Sequence, residues 1–552
     1  MPAAAALLAL LAVAALAVRS PRKPVQRPAG ASGATTLADL PVPSTTVPEA
    51  RTEYLAGMQL LRDDSYSPAH EHFAHAAKLD PSMAMAHFRA ALTELETADV
   101  EHTRAEYSAA AAMRGQLDDR DRAMLDAFEP VAGRSQPDER ETLRRLEAAH
   151  QRFPKDEELV VWIAYLTIAD PARSIPAAQQ ATEMDPLDGA AWEELGRAKG
   201  LAADFEGARA AFERCASVAP GASDCHFWLA MLASQEGRCE DMEREGRREA
   251  DYERGGGGIH MAAAMAALGR PDAAVLDILE DNWVPAQGAD WQSYRRAGMQ
   301  ASLAVYRGRF EDAAKALDTQ RDALDGSPTL RMQMRSNLPL AGDRVELLLE
   351  TGEPASARRV AREFMDRVEL SALSRGFEVS GTHESWWRVA AVAGTPLEAH
   401  RTQWVDERLK AGTPPSIVWT LAWGKPVLSE QDARGALDAI ARDPRLSLPT
   451  GGEMFFGSFD ADAVAGRVLL LAGRANDALP HLRRAAASCF GLRTPFDVVH
   501  AMFDLGLALE KTGDTAGACH AYGNVLAHWG GARPRSVTAD EARERSKALL
   551  CP

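Results

Sequence analysis

From about residue 50 to the C-terminus, apolar side chains recur at the three- and four-residue intervals of amphipathic helices, and polar positions fill the intervals between them. The helices come in pairs. An apolar helix is followed by a short turn with Gly or Asp, a second helix with Ala and an aromatic four residues apart, and often Asp-Pro or Ala-Pro. The clearest copy spans 192–220, with Trp192, Leu195 and Gly196 on the first helix, Ala208, Phe212 and Cys215 on the second, and Pro220 at its end. Gly196 and Ala208 are small enough for the paired helices to approach closely. Trp192, Leu195 and Phe212 fill the space between one pair and the next, and Pro220 cannot continue a helix. A single pair cannot bury its own apolar face, so the pattern predicts stacked pairs with one continuous core.

This spacing resembles the tetratricopeptide repeat, a helix–turn–helix unit of about 34 residues. Weaker copies keep the register: Gly57, Ala69, Phe73, Ala76 and Pro81 at the start; Leu469, Ala478, Leu482 and Ala485 later; Leu505, Gly506, Ala518 and Tyr522 at the end. Between about 240 and 450 helix pairs are legible from apolar period alone. The expected fold is all-α, a tetratricopeptide-like helical-hairpin solenoid with its pairs laid along an extended superhelix in two or three segments. The segments are 48–254, a degenerate region 259–447, and 448–552 with a capping helix at about 538–550. A hinge is expected at Gly255–Gly258. A second break, Leu448–Phe459, carries Phe455, Phe456 and Phe459, which either plug the junction or sit on an exposed loop.

The first 47 residues differ. Sixteen apolar residues from Ala3 to Val18 suit a signal or membrane anchor (1–18), and a Pro-rich linker (19–47) follows. No Lys or Arg precedes the stretch, while Arg19, Arg22, Lys23 and Arg27 follow it. The expected location is therefore periplasmic or cell-envelope, anchored or secreted, with a cytoplasmic chain of misassigned start as the alternative. Membrane contact is expected only through this segment.

Composition narrows the function. The 552 residues include 62 Lys+Arg and 79 Asp+Glu, a net charge of −17; without residues 1–27 the balance is 58 against 79, or −21. Such acidity argues against nucleic-acid binding, which needs clustered cations. No phosphate loop, nucleophile elbow or paired catalytic carboxylates appear, so neither an enzyme nor a cofactor is expected. His70, His72 and His75 do not converge from one helix, and a solvated face is expected there rather than a metal site. Five tryptophans, Trp386, Trp387, Trp404, Trp419 and Trp423, read as interhelix packing. A hydrolase hidden at 370–460 would need His383, Glu384 or His400 to converge. The six cysteines form no C-x-x-C pair. Cys215–Cys225 is the favoured local disulfide and Cys519–Cys551 the second; the alternative is that buried thiols simply occupy small-residue slots.

The chain also resembles, more widely, the repeat regions fused to bacterial eukaryotic-like serine/threonine kinases, especially myxobacterial ones. The resemblance lies in the apolar segment, the Pro-rich linker, "CASVAPGASDCHFWLA" and the C-terminal "LGLALEKTGDTAGACHAYGNVLAHWGGARPRSVTADEAR". The kinase motifs are missing: Asp204-Phe205-Glu206 lacks the glycine of D-F-G. The resemblance to tetratricopeptide proteins implies a concave face lined by repeat positions 2, 5, 9 and 12. These map to Tyr54, Met58 and Leu61, to Glu193 and Arg197, and to His500, Phe503, Leu507 and Glu510. It implies a scaffold for other proteins or peptides, partly apolar and partly basic. The alternative is the sensory half of a kinase system whose catalytic chain is separate.

Overall fold

The computed structural model describes residues 33–95, 100–252, 257–281, 289–327, 338–367, 386–396 and 398–552. The apolar segment 1–18, Gly255 and Gly256 of the expected hinge, and His383 and Glu384 lie outside them; among the described residues no helix is long and apolar enough to cross a membrane.

The fold is all-α. Thirteen helical hairpins follow one another among the described residues. They are Pro48–Arg62 with Tyr66–Leu79, Ala84–Thr93 with Val100–Ala112, Asp119–Phe128 with Glu139–Arg152, and Glu157–Leu166 with Pro171–Met184. Next come Gly189–Leu201 with Phe205–Val218, Ser223–Gln235 with Cys239–Tyr252, Gly257–Ala267 with Asp272–Asp281, and Ala289–Tyr306 with Phe310–Gly326. The last five are Leu338–Glu350 with Pro354–Arg367, Trp386–Ala393 with Glu398–Ala411, Pro415–Trp419 with Glu430–Arg442, Ala461–Leu471 with Ala475–Ala487, and Pro495–Lys511 with Thr515–Trp529. Val537–Ala548 lies against the last of them. Gly189, Ser223 and Gly257 open successive hairpins 34 residues apart, so the repeat register continues past residue 240, where the residue pattern alone loses it.

One contact recurs and explains the signature. In four hairpins a glycine on the first helix lies under a large side chain sixteen residues later: Gly57 under Phe73, Gly196 under Phe212, Gly466 under Leu482 and Gly506 under Tyr522. A methyl group at Gly57 would come 2.7 Å from the Phe73 ring. The glycine is thus the seat of the ring, and that contact sets the distance between the helices. Gly196→Ala is expected to lower stability by about 1–3 kcal/mol through overpacking. Gly435→Ala, on a helix with nothing within 4 Å of the added carbon, is expected to raise it by about 0.5–1 kcal/mol. Urea unfolding midpoints of the two variants measure the difference.

Turns within hairpins are equally regular. The residue two places past the first helix adopts a left-handed conformation, as at Gly237 (φ 71°) and Gly513 (φ 87°). The next amide then reaches back to cap the helix, Arg238 N to Ala233 O and Asp514 N to Leu509 O, both at 2.9 Å. Asp64 and Ala203 hold the same conformation without being glycine.

The superhelix is closed by contacts that join distant hairpins. Arg62 of the first donates two 2.9 Å hydrogen bonds to Asp185 beside the fifth, and Ser65 Oγ reaches Gly221 O at 3.2 Å. Phe455 lies on Gly200, Gln235 Nε2 donates to Gly451 O at 2.7 Å, and Trp529 Nε1 donates to Val305 O at 2.8 Å. The largest core accordingly runs from Ala208 to Ala542. Phe455 is buried at this junction, stacked on Trp228 at 5.2 Å, so it plugs the junction rather than standing on an exposed loop. The stretch read as linker is also packed from residue 33: Leu37 is buried, Thr35 bridges to Asp156, and Thr45 Oγ1 donates to Asp80.

Candidate ligand-binding hollow

First helices from four hairpins converge on a cavity of about 240 Å³. Its walls are aromatic: Trp162 and Tyr165 from the fourth hairpin, Phe227 and Trp228 from the sixth. Trp162 meets Tyr165 edge-on with centroids 5.6 Å apart, and Phe227 meets Trp228 the same way at 4.6 Å. Glu193, Glu194 and Arg197 of the fifth hairpin form the floor between them, and Asp224 joins at the edge. The Arg197 guanidinium lies over both Tyr165 (5.6 Å) and Trp228 (5.5 Å), while its Nη1 donates to Glu194 at 2.9 Å. Trp228 Nε1 donates to Glu193 at 2.6 Å. Burial pushes the Glu193 carboxyl well above its usual range, and the neighbouring Glu194 charge adds to this.

Of the residues expected on the concave face, Glu193 and Arg197 therefore stand together in this hollow. Tyr54, Met58 and Leu61 are buried in the core of the first hairpins, where Tyr54 packs edge-on against Phe73. Phe503 is buried against Tyr522, and Glu510 accepts a hydrogen bond from the Tyr522 hydroxyl. His500 Nε2 donates to Glu350, 2.9 Å away, and His500 lines a second cavity of about 230 Å³. That cavity carries both signs, including Asp343, Arg388, Arg467, Asp497 and Asp504. Trp162, Tyr165 and Phe227 were not foreseen. Counted from each helix start, Tyr165 and Phe227 occupy the positions that Arg197 and Glu193 hold in theirs, a signal that only the correct register exposes.

Beside the hollow two acids meet. Glu157 and Asp188 are fully buried, and the Asp188 carboxylate adds to the burial that disfavours a charge on Glu157. Burial pushes Asp188 up to about 7 and Glu157 well above its usual range. A group whose folded-state pKa is raised stabilises the fold when protonated, and that stability is lost as pH rises from about 4 through 7. Asp188 also caps the Gly189–Leu201 helix through Ala191 N, a role asparagine can keep. Asp188→Asn is expected to flatten the fall in melting temperature between pH 5 and 8 and to gain roughly 2 kcal/mol at pH 8. Melting followed by circular dichroism across that range checks it.

The cysteines pair as Cys215–Cys225, Cys519–Cys551 and Cys239–Cys489, the last across 250 residues. Four of the five clustered tryptophans are buried; Trp386 and Trp387 stack at 3.9 Å, and Arg401 lies 4.2 Å over Trp423, which is partly buried. His400 is exposed.

These features define a tetratricopeptide-like helical-hairpin solenoid with an aromatic, acidic hollow on its first helices. No family model matches the chain, and no curated protein matches its sequence. Solved structures similar to it include the crystal structure of the P58(IPK) TPR domain (12% identity, 78% of this chain and 98% of that one, TM-score 0.20). Yeast Tom70 is also among them (11% identity, 84% and 96%, TM-score 0.31), as is Naa15/Naa10 bound to HypK-THB (14%, 91% and 78%, TM-score 0.23).

Proposed function

We propose that the chain is a non-enzymatic scaffold that binds a segment of a partner protein, and that the hollow around Arg197 is where the segment enters. The observation that carries this is the convergence of Trp162, Tyr165, Phe227 and Trp228 around a floor with more acidic than basic groups. Aromatic walls supply contact area at low entropic cost, and the surplus of carboxylates favours a segment that pairs an apolar side chain with Lys or Arg. The charge of −21 outside the first 27 residues attracts such a segment over longer distances. A separately encoded serine/threonine kinase as the partner is the narrower form of this reading, supported by the resemblance to kinase-fused repeats. Three cysteine pairs favour an oxidising, extracytoplasmic setting.

The test is affinity capture from the protein's own cells with residues 33–552 and with a Trp228→Ala, Arg197→Ala variant. A partner retained by the parent chain should be lost, or bound at least about tenfold more weakly, by the variant. An unchanged set of partners would remove the hollow from consideration.

A further inference from the structure

Histidine has a standard use in this fold. Four hairpins pair an imidazole with one carboxylate nineteen residues away, across the two helices: His72 with Glu53, His87 with Glu106, His226 with Glu245 and His481 with Asp462. Each Nδ1 sits 2.6–2.9 Å from its carboxylate oxygen, a direct hydrogen bond that staples the hairpin. His75 belongs to the same arrangement, since it too faces Glu53, at 3.5 Å.

One cluster departs from this pattern. His70 comes from the Tyr66–Leu79 helix, Glu94 stands just past Ala84–Thr93, and His102 comes from Val100–Ala112. Two imidazoles here face a single carboxylate. Nε2 of His70 lies 3.9 Å from one Glu94 oxygen, and Nε2 of His102 lies 3.8 Å from the other. The ligand atoms all fall within 4.8 Å of one another, and the rings are 6.2 Å apart at 73°. Both nitrogen–oxygen separations exceed a hydrogen bond. They are wider than the roughly 3.3 Å between ligand atoms that tetrahedral bonds of about 2.0–2.1 Å require, so the three side chains close in when an ion binds.

The His70 ring is oriented from behind. Its Nδ1 lies 3.1 Å from Ala90 O, a carbonyl that can only accept, so Nδ1 donates there and Nε2 is the ring atom on the Glu94 side. A backbone carbonyl behind the ring is the usual outer-shell support of a metal-bound histidine. Glu94 is buried, His70 partly buried and His102 exposed, so a path from solvent to the three ligands exists.

We propose that His70, Glu94 and His102 bind a divalent ion of the zinc class, with water in the fourth position. Two imidazoles and one carboxylate suit zinc, cobalt or nickel and not magnesium or calcium, which prefer all-oxygen sets. The ion ties the second helix of the first hairpin to both helices of the second, next to Leu92, Thr93 and Leu95 on the wall of the hollow. This assignment stands whether or not the hollow binds a partner.

Cobalt titration of the full chain, read by the visible absorption of tetrahedral Co²⁺, and zinc competition against a chromophoric chelator test it. All six cysteines are in disulfides, so no thiolate competes. One equivalent is expected, weakened at least about 100-fold in His102→Ala and in Glu94→Gln, and changed by no more than about twofold in His72→Ala, His75→Ala. Because His102 is exposed, His102→Ala keeps the test interpretable if Glu94→Gln fails to fold; melting in chelator reports folding for each variant. Zinc, and not magnesium, should also raise the parent's melting temperature. Absence of stoichiometric binding, binding unchanged in His102→Ala, or equal loss in the His72, His75 variant would each overturn the assignment.

Discussion

Replacing Glu158 with alanine is expected to cost about 3–5 kcal/mol, the largest loss from any single side chain in the N-terminal hairpins. Glu158 is buried between two arginines from different hairpins. Arg89 is fully buried and holds it with two guanidinium nitrogens, one at 2.9 Å; Arg120 donates to it at 2.5 Å and to Asp156 at 2.7 Å. Burial works against the Glu158 charge, yet Arg89 and then Arg120 more than offset it and hold the carboxyl far below its usual range. Deleting the carboxylate leaves the fully buried Arg89 guanidinium without its carboxylate partner, while Arg120 keeps Asp156 and Asp121. By contrast, Glu430→Ala breaks an exposed pair with Arg434 and should change stability by less than about 0.5 kcal/mol. Denaturant unfolding of the two variants measures the contrast. Glu158 also accepts from Trp162 Nε1 at 3.4 Å, so the same variant should loosen one wall of the hollow. A loss below about 1 kcal/mol would mean that the network contributes little.

The hairpins were legible because their determinant is local. Gly196 and Phe212 are sixteen residues apart, and the same pair recurs as Gly57 with Phe73 and Gly506 with Tyr522, so sequence spacing and spatial contact coincide. Closure of the superhelix had no such signal. The contact of Phe455 with Gly200 joins residues far apart in the chain, and nothing near either announces the other. Closure also decides what the concave positions meet: Glu193 and Arg197 line the hollow, whereas Tyr54 and Phe503 pack into hydrophobic cores. The histidines show the same limit. His72 and His75 share a face and a partner within their own hairpin, while the partners of His70 come from the next one, a relation that requires the fold.

The same long-range closure makes Cys239–Cys489 the disulfide with the largest expected effect. Cys489 carried no local cue to its partner, since 250 residues separate the two, although their α-carbons stand only 5.4 Å apart. Cross-linking so long a loop removes about 5 kcal/mol of chain entropy from the unfolded state. The loops of 32 residues at Cys519–Cys551 and 10 at Cys215–Cys225 give about 4 and 3 kcal/mol. Around the bond the sixth and twelfth hairpins already touch: Cys489 N donates to Ser234 O at 3.3 Å, and Gly237 lies against Ala487. The disulfide therefore locks a contact that packing has formed. Serine at both Cys239 and Cys489 should lower the guanidinium midpoint more than serine at either other pair, with native helicity retained in water. Proteolytic nicks between residues 239 and 489 should leave the fragments joined only before reduction. If the double variant unfolds at the parent's midpoint, packing alone closes the superhelix and the covalent link adds nothing to it.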